Sequence, residues 1–254
     1  MSSHPPRYHG DPPAFVTSRL LEEHGLPHLF TTRHFPGVAR AREPRPPFGP
    51  EALPLLSERG LGGGFAFARQ VHGATVLHVD RPGRAGHGDA LTTARPGLPL
   101  AIFTADCLPI VLYDARGSRL AAVHAGWRGT VQSVARAAVA ALQAAGSAPA
   151  DLVVGIGPSI GACCYEVDEP VIARLESAFP GGWSAWATPK GPGKWMLDLW
   201  RANLDQLTAA GVRGDRVDLL GLCTGCRPDL LFSYRRERGA GRLVTVAALP
   251  EPAC

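Results

Sequence analysis

The sequence has little excess charge of either sign. Its 254 residues include 26 Lys and Arg against 22 Asp and Glu, which gives a formal net charge of +4. Because this excess is small and dispersed along the chain, it argues against a surface for nucleic acid or for a membrane. A small anionic substrate is compatible with it.

Long hydrophobic runs are also missing. No segment approaches the roughly 20 apolar residues of a transmembrane helix. Residues 1–13 are polar and proline-rich, so we expect a flexible tail there and no secretory signal. The sequence therefore predicts a cytoplasmic protein, whose six cysteines would be mostly reduced and available for metal binding or catalysis.

Glycine and proline, by contrast, are abundant. The 30 glycines and 24 prolines are spread along the chain and indicate many tight turns within a folded domain. The proline-rich residues 35–50 predict a long surface loop. With no internal repeat and no clear linker after residue 50, we expect one catalytic domain over residues 14–254.

Hydrophobic patterning predicts mainly strands. Short apolar runs bounded by turn residues indicate strands at 14–21, 28–32, 65–72, 75–79, 98–103, 110–113, 120–123, 152–156, 217–220, 230–234 and 243–249. Helical spacing predicts helices at 131–142, 169–179 and 197–210, and residues 81–88 are expected to form a turn. Thr130 is the expected N-cap of the first helix, and Gly146 is the expected stop.

A cysteine and a histidine lie at the ends of predicted strands. Cys107 precedes the run at 110–113, and His124 follows the run at 120–123. Such residues could be a Cys/His nucleophile pair or two metal ligands, or each could be an ordinary buried polar residue. His72, where an apolar run stops at Gly73, is the best candidate for a third ligand. A His/Cys/His set would leave a zinc position open for water or substrate, which is typical of catalytic sites.

Two glycine-rich turns stand out. The turn from His124 to Gly129 leads into the predicted helix at 131–142, so free amides, the helix dipole and Arg128 could together bind an anion. The alternative is that its glycines only close the turn. The Gly155–Gly161 segment is not a dinucleotide fingerprint, because its third glycine comes one residue late and Pro158 removes an amide.

Four further cysteines form two close pairs. Cys223 and Cys226 have C-x-x-C spacing, and Cys163 and Cys164 are adjacent. Together they could form a second, structural zinc site, but adjacent cysteines seldom both bind one ion. A thioredoxin-like role is excluded because a strand, and no helix, is predicted after the C-x-x-C pair. We therefore expect these four thiols to be reduced, structural and dispensable for zinc binding.

Five segments between residues 28 and 249 occur in an order that resembles one known family. The chain is similar to proteins first named multicopper polyphenol oxidases or laccase-domain proteins. These are now regarded as zinc-containing purine nucleoside phosphorylases, with adenosine deaminase activity in some members. The number and order of the segments argue against a chance match. They are Gln70-Val-His-Gly73, Thr104-Ala-Asp-Cys-Leu-Pro109, Val123-His-Ala-Gly-Trp-Arg-Gly129, Gly155-Ile-Gly-Pro-Ser-Ile-Gly161 and Phe232-Ser-Tyr-Arg-Arg236.

The resemblance implies a fold and a reaction. The fold would be a single α/β (α+β) domain, a mixed β-sandwich with helices on both sides in four layers, α/β/β/α. Zinc would be held by His72, Cys107 and His124, with copper as another ion for the same site. The reaction would be phosphorolysis of adenosine, inosine, guanosine or methylthioadenosine to free base and ribose 1-phosphate, and some members also deaminate adenosine.

Roles for individual residues follow from this reaction. Asp106 or Asp89 could carry protons beside the metal. Cys107 is expected to bind metal and not to act as a covalent nucleophile, because a zinc-bound thiolate is a poor nucleophile. The expected substrate-binding residues are Arg128, Arg235, Arg33 and Gln70, and the arginines would hold phosphate.

Two other functions are weighed against this one. A copper oxidase of phenols needs about ten histidines with several His-x-His pairs. This chain has nine histidines, and none stands two residues from another. A non-catalytic metal-binding protein should supply four protein ligands to zinc, whereas only three are predicted here. The oligomeric state and the preferred nucleoside do not follow from the sequence.

Overall fold

A computed structural model describes the protein over residues 5–38, 46–239 and 241–251. Its larger sheet has seven strands, all antiparallel except that β4 runs parallel to β6 and β8. In spatial order these strands are β1 (Arg7–His9), β2 (Phe15–Thr17), β3 (His28–Thr31), β16 (Leu243–Ala247), β8 (Leu100–Thr104), β4 (Ala66–Arg69) and β6 (Gly83–His87).

A second sheet has six strands, and a third has three. The six-stranded sheet contains, in order, β15 (Val217–Leu219), β11 (Val153–Ile156), β9 (Leu108–Asp114), β10 (Arg119–Ala125), β7 (Ala90–Thr93) and β5 (Val76–His78). The small sheet contains β12 (Glu166–Asp168), β14 (Lys194–Leu197) and β13 (Ala187–Gly191). No strand of the small sheet was predicted from the sequence.

The two large sheets pack face to face. Along β9, Val111 and Tyr113 belong to the core that also contains Phe103 of the seven-stranded sheet. The alternating residues Ile110 and Leu112 point the other way, into a second core. Since both faces of β9 are buried, its sequence is a continuous apolar run and does not alternate with polar residues.

Helices cover the outer face of the six-stranded sheet. The α-helices are α1 (Arg19–Glu23), α2 (Leu53–Ser57), α3 (Trp127–Val131), α4 (Val134–Ala144), α5 (Glu169–Ala178), α6 (Leu199–Ala209) and α7 (Tyr234–Glu237). The apolar stripe of α4, which includes Val134, Ala138 and Leu142, packs with α6 onto Ile110 and Leu112. Among the described helices, none has both the length and the apolar character needed to cross a bilayer.

This architecture confirms the expected single domain of mixed α/β class with stacked sheets and helices. The predicted strands at 98–103, 110–113 and 120–123 correspond to β8, β9 and β10. The predicted helices at 169–179 and 197–210 correspond to α5 and α6. Of the surface loop expected at 35–50, residues 39–45 lie outside the described residues.

The expectation of a flexible tail over residues 1–13 is wrong for β1. Arg7–His9 pairs in antiparallel register with Phe15–Thr17. The His9 ring stacks on Phe15 at 4.5 Å between centroids, and its Nε2 is 2.9 Å from Oγ1 of Thr17. These cross-strand contacts compensate for the lack of apolar residues in the segment. Residues 1–4 lie outside the described residues.

The helix predicted at 131–142 is in fact two helices. The helix is interrupted at Ser133, whose φ of 60° is left-handed and separates α3 from α4. Thr130 is therefore not the N-cap: it lies buried inside α3, where Asn203 donates to its Oγ1 at 2.9 Å and Gln206 donates to its carbonyl at 2.9 Å. These bonds from α6 fix the short helix separately. Gly146, with φ of 101°, follows α4 as predicted.

Three further predictions of local structure are corrected by capping and pairing. The run at 14–21 turns into α1 because Oγ of Ser18 accepts the amide of Leu21. The run at 230–234 is not a strand, since Oγ of Ser233 accepts the amide of Arg236 and starts α7. The expected turn at 81–88 contains β6, which pairs with β4. Serine caps of this kind override the strand propensity of neighbouring residues.

Folding stability should depend on His28, which is buried in β3. Its Nε2 accepts the Ser18 amide at 2.9 Å, and its Nδ1 donates to the Leu26 carbonyl at 2.8 Å. Burial lowers the pKa of His28 from 6.5 to about 4. The unfolded chain therefore takes up this proton before the folded chain does, and the free energy of unfolding should fall as pH drops from 6.5 to 4, by about 3 kcal/mol.

Denaturant unfolding of wild type and His28→Gln at several pH values tests this expectation. Glutamine keeps one donor and one acceptor but does not titrate, so its free energy of unfolding should depend less on pH in this window. His87→Gln, at an exposed position in β6, is the matched control and should keep the wild-type dependence. An unchanged slope in His28→Gln would contradict the assignment.

Candidate metal centre and active site

A buried aspartate organises the site. Antiparallel pairing of β7 with β10 places Asp89, just before β7, beside His124. The Asp89 carboxylate accepts hydrogen bonds from Nδ1 of His124 at 2.9 Å and from the amides of His72 at 2.8 Å and Gly73 at 2.7 Å. Burial opposes ionisation, but these bonds outweigh it and hold the pKa of Asp89 below its usual range. The ionised carboxylate thus fixes a proton on Nδ1 of His124, so Nε2 is the ring nitrogen that remains for a metal.

Strand register brings Cys107 to the same point. Leu108 pairs with Ala125 across β9 and β10, so Cys107 lies against the turn at Gly126. A Cβ at Gly126 would be 2.8 Å from Sγ of Cys107 and 3.3 Å from Cδ2 of His72, so only glycine fits there. One atom each of His72, Cys107 and His124 lies within 4.8 Å of the others. The three residues predicted as ligands are therefore brought together.

The charges of this cluster suit a divalent ion. Burial would raise the pKa of Cys107, but the imidazoles of His124 and His72 outweigh it and lower the pKa to about 6. Burial would lower the pKa of His124, but Cys107 and Asp89 raise it to about 10. A thiolate and two imidazole nitrogens form a three-ligand zinc-type donor set with one position left for water or substrate. Metal binding would displace the proton on Nε2 of His124.

The cluster opens into a cavity of about 540 Å³, a volume typical of small-molecule sites. Besides the three metal-type residues, its lining includes aromatic rings and, among the described residues, three arginines and one carboxylate. The remaining lining residues are Gln70, Phe103, Thr104, Ala105, Asp106, Trp127, Arg128, Tyr165, Tyr234, Arg235 and Arg242. Positive side chains outnumber negative ones among these described residues, so the cavity favours an anionic ligand.

Two of the three predicted arginines lie at this cavity. The Arg128 guanidinium stands 4.3 Å above the Trp127 ring, and the Arg235 guanidinium stands 5.1 Å above the Tyr165 ring. No carboxylate in the described part of the chain forms an ion pair with Arg128. Stacking orients each planar guanidinium while leaving N–H groups for an anion.

The two polar residues predicted beside the metal differ in their surroundings. Asp106 lines the cavity, and its carboxylate accepts bonds from Oγ1 of Thr224 at 2.6 Å and the Arg235 amide at 2.7 Å. Gln70 also lines the cavity, but its amide group bonds both to the carbonyl of Phe103 at 2.7 Å and to the amide of Phe103 at 2.8 Å. Gln70 therefore positions β8, and its predicted contact with substrate stays a prediction.

Arg33 is not brought to the cavity. Its guanidinium bonds to the Glu237 carboxylate at 2.6 Å and the Leu231 carbonyl at 3.0 Å, and it stands 4.7 Å above the Phe232 ring. These contacts tie Arg33 to the segment that leads into α7. Arg33 thus supports the helix that carries Arg235 and is not among the described residues that line the cavity, and its predicted contact with substrate stays a prediction.

The predicted anion site at a helix N-terminus is corrected. Arg128 lies in α3, which has only five residues and is separated from α4 by the left-handed residue Ser133. A helix this short contributes little dipole, so the electrostatic part of the expectation depends on the Arg128 side chain.

Several lining residues were not singled out from the sequence. Tyr165, Trp127, Tyr234 and Arg242 reach the cavity from four different parts of the chain. A signal existed for two of them, since Trp127 and Tyr234 stand next to the predicted Arg128 and Arg235. Thr104 lines the cavity too, and its buried Oγ1 has no hydrogen-bond partner within the described residues. Such a group is available to a ligand.

The fold and the cavity together define an α/β protein whose His/Cys/His cluster, at the ends of packed strands, opens into an arginine-lined pocket. Residues 55–250 match the family described as multi-copper polyphenol oxidoreductase laccase, and the chain belongs to that family. The family and the cluster both suggest a metal, without specifying zinc or copper.

Similar proteins of known name share one named activity. The chain is 37% identical over 237 residues to the purine nucleoside phosphorylase of Deinococcus radiodurans, covering 89% of this chain and 90% of that protein. It is 37% identical over 187 residues to the purine nucleoside phosphorylase YlmD of Geobacillus stearothermophilus, covering 69% and 68%. These relatives support an enzyme.

Solved structures show the same fold. The crystal structure of YlmD from Geobacillus stearothermophilus is 30% identical, with a TM-score of 0.83 over 97% of this chain and 100% of that one. A hypothetical protein YfiH of Bacillus licheniformis is 29% identical, with a TM-score of 0.80 over 95% and 98%. Both likenesses extend over nearly the whole chain, so the overall fold is shared with these proteins.

Substituting Asp89→Asn should weaken metal binding about 10- to 100-fold, because partners that orient metal ligands typically contribute that much. Asparagine cannot accept all the bonds that fix His124 and the His72 turn. Asp114→Asn is the matched control: Asp114 is also buried and bonded to Ser147 and Gly117, but it lies at the far end of β9. Competition with a chelator measures the metal affinity of each variant. Equal metal affinities of Asp89→Asn and Asp114→Asn would contradict this role for Asp89.

Proposed function

We propose that the protein is a zinc-dependent purine nucleoside phosphorylase. It would cleave adenosine, inosine, guanosine or methylthioadenosine with phosphate to free base and ribose 1-phosphate. The observation that carries this proposal is one cavity that combines a His/Cys/His cluster with three arginines and several aromatic rings. The names of relatives that align over most of the chain support the same activity.

Phosphate is the ligand for the arginines. Arg128, Arg235 and Arg242 line the cavity, and Asp106 is the one carboxylate among the described lining residues. Guanidinium forks match phosphate oxygens in pairs, and stacking on Trp127 and Tyr165 limits the conformations of two of them. Bound in this way, a phosphate would be oriented toward the metal cluster.

The aromatic residues suit the purine. Tyr165 and Tyr234 both line the cavity, the first half-buried and the second 53% exposed. Planar rings bind a purine by stacking, whereas Oγ1 of Thr104 offers a directional hydrogen bond. The expected specificity is thus for a planar base that carries a ribose.

In phosphorolysis, a phosphate oxygen bonds to C1′ of the ribose while the C1′–N9 bond breaks. The electron pair leaves with the purine, which takes up a proton. The arginines hold the nucleophile and offset its charge as the transition state forms. Bound zinc would supply Lewis acidity at the open ligand position. His72, Cys107 and His124 would hold it, and Asp89 would orient the histidines.

Adenosine deamination is a second proposed activity of the same site. Three protein ligands leave one coordination position, which is the requirement for presenting a water to the purine. Asp106 is better placed than Asp89 to carry protons, because Asp106 lines the cavity while Asp89 is fully buried behind the histidines. This activity would not require phosphate.

The copper oxidase alternative has less support. Within the described residues, two clusters of three or more metal-type side chains occur, and only one of them contains histidine. A multicopper centre needs several histidine-rich positions close together. Copper bound at His72, Cys107 and His124 would be a single ion without the trinuclear partner that oxygen reduction uses.

The proposal is tested with zinc-loaded protein and the four nucleosides, each with and without phosphate, by separating the products. Base plus ribose 1-phosphate, formed only with phosphate, is the expected result, and inosine formed from adenosine in either condition would report deamination. Oxygen uptake with a phenol, in protein that leaves all four nucleosides intact, would favour the copper oxidase instead.

A further inference from the structure

A second group of metal-type side chains lies outside the cavity lining. Cys163 and Cys164 lie in the turn before β12, while Cys223 and Cys226 lie in the turn that follows β15. Their four Sγ atoms all lie within 4.8 Å of one another. Sγ of Cys226 is 3.4 Å from that of Cys163 and 3.5 Å from that of Cys164.

We propose that Cys163, Cys164, Cys223 and Cys226 form a second metal centre that holds one Zn²⁺ in a structural role. Four thiolates at about 2.3 Å from a tetrahedral zinc lie about 3.8 Å from one another, which agrees with the spacing found here. A disulfide would instead join sulfurs two by two at about 2.05 Å and would not require all four to converge.

The ligand set points to zinc and to a closed site. Four sulfur ligands with no histidine, carboxylate or open position are the donor set of structural zinc, whereas the His/Cys/His cluster keeps a position open. The C-x-x-C spacing of Cys223 and Cys226 is typical of such centres. Two sites of different chemistry would therefore occupy one chain.

Backbone contacts hold the two cysteine-bearing turns close together. The Gly161 amide donates to Sγ of Cys223 at 3.2 Å, a bond that stabilises a thiolate. A Cβ at Gly225 would lie 2.7 Å from Cβ of Cys164, so the two turns approach as closely as glycine allows. Ser159 bonds to both Leu222 and Thr224 through the backbone, at 3.1 and 3.0 Å.

The turn before β12 allows both adjacent cysteines, Cys163 and Cys164, to reach the same metal ion. Adjacent cysteines seldom bind one ion, but the Cys164 and Tyr165 amides both bond to the Gly161 carbonyl and fold the segment tightly. In this turn both thiols face Cys226. The expectation that the four cysteines are dispensable for zinc is therefore replaced by the opposite one.

A metal at this place would join two walls of the active-site cavity. Tyr165, next to Cys164, lines the cavity, and Thr224, next to Cys223, bonds to the Asp106 carboxylate at 2.6 Å. Asp106 in turn precedes Cys107. Zinc in the four-cysteine centre would hold these residues in place without touching substrate.

Metal analysis of purified, reduced protein tests the proposal. We expect two zinc equivalents per chain in wild type, one in Cys107→Ser and one in Cys226→Ser or Cys223→Ser. The Cys107→Ser protein matters most, because its remaining zinc cannot come from the His/Cys/His cluster. Loss of all zinc from Cys107→Ser, or wild-type zinc content in Cys226→Ser, would overturn the proposal.

A second measurement leaves all four cysteines of this centre in place, so it does not depend on whether Cys223→Ser or Cys226→Ser folds. Zinc in the folded Cys107→Ser protein is exchanged for Co²⁺, whose absorption distinguishes four thiolates from nitrogen and oxygen ligands. A tetrathiolate spectrum, together with thiols that alkylate only after a chelator is added, is the expected result. Disulfides found by mass spectrometry in protein handled under mildly reducing conditions, or freely reactive thiols in metal-loaded protein, would contradict it.

Discussion

Replacing Arg128 with alanine is expected to lower kcat/KM for phosphorolysis about 30- to 900-fold, corresponding to about 2–4 kcal/mol of transition-state stabilisation. The guanidinium has no ion-pair partner among the described residues and stands over Trp127 at the cavity, so its charge is available to phosphate. Steady-state kinetics with varied phosphate should show the loss, while zinc content stays at the wild-type level.

Two comparisons separate a phosphate contact from a general effect on folding. Arg136→Ala removes the same charge from an exposed position on α4, outside the cavity lining, and should leave phosphorolysis unchanged. Deamination needs no phosphate, so Arg128→Ala should reduce it much less than phosphorolysis. Equal loss of both activities, or loss of zinc, would leave Arg128 as a structural support of the turn after His124.

Replacing Cys107 with alanine should remove one zinc equivalent per chain and lower activity by more than about 100-fold, the upper end of what losing a supporting partner of a metal ligand costs. Cys107 supplies the one thiolate of the cluster, and the imidazoles lower its pKa to about 6, so it is ready to bind metal at neutral pH. Metal analysis and the nucleoside assay measure the two effects together.

The control for Cys107→Ala is a check that the variant still folds. Circular dichroism should be close to that of wild type, because alanine leaves the Leu108–Ala125 pairing and the Asp89 bonds in place. Full zinc content together with full activity in Cys107→Ala would show that this cysteine is not a ligand.

The metal-type residues could be predicted because each stands where an apolar run meets a turn. His72, Cys107 and His124 are chemically distinctive, and the strands that place them are short and continuously apolar. The role of Asp89 could not be predicted, because it depends on how β7 pairs with β10, and strand pairing is not visible in a single sequence.

Other sequence-based predictions failed for the same physical reason, because they depend on long-range contacts. The break after α3 follows from bonds that Asn203 and Gln206 make to Thr130, more than 70 positions earlier in the chain. The ion pair of Arg33 with Glu237 could not be predicted either, because α7 brings the two residues together. The four cysteines looked poorly spaced because sequence distance does not reveal that two turns fold against each other.

The central claim is tested most directly by the products of one reaction. Zinc-loaded wild-type protein is incubated with inosine and phosphate, and purine base and ribose 1-phosphate are quantified over time. The account predicts equal amounts of both, with neither formed when phosphate is left out. Free ribose in place of ribose 1-phosphate, or base released equally well without phosphate, would contradict it.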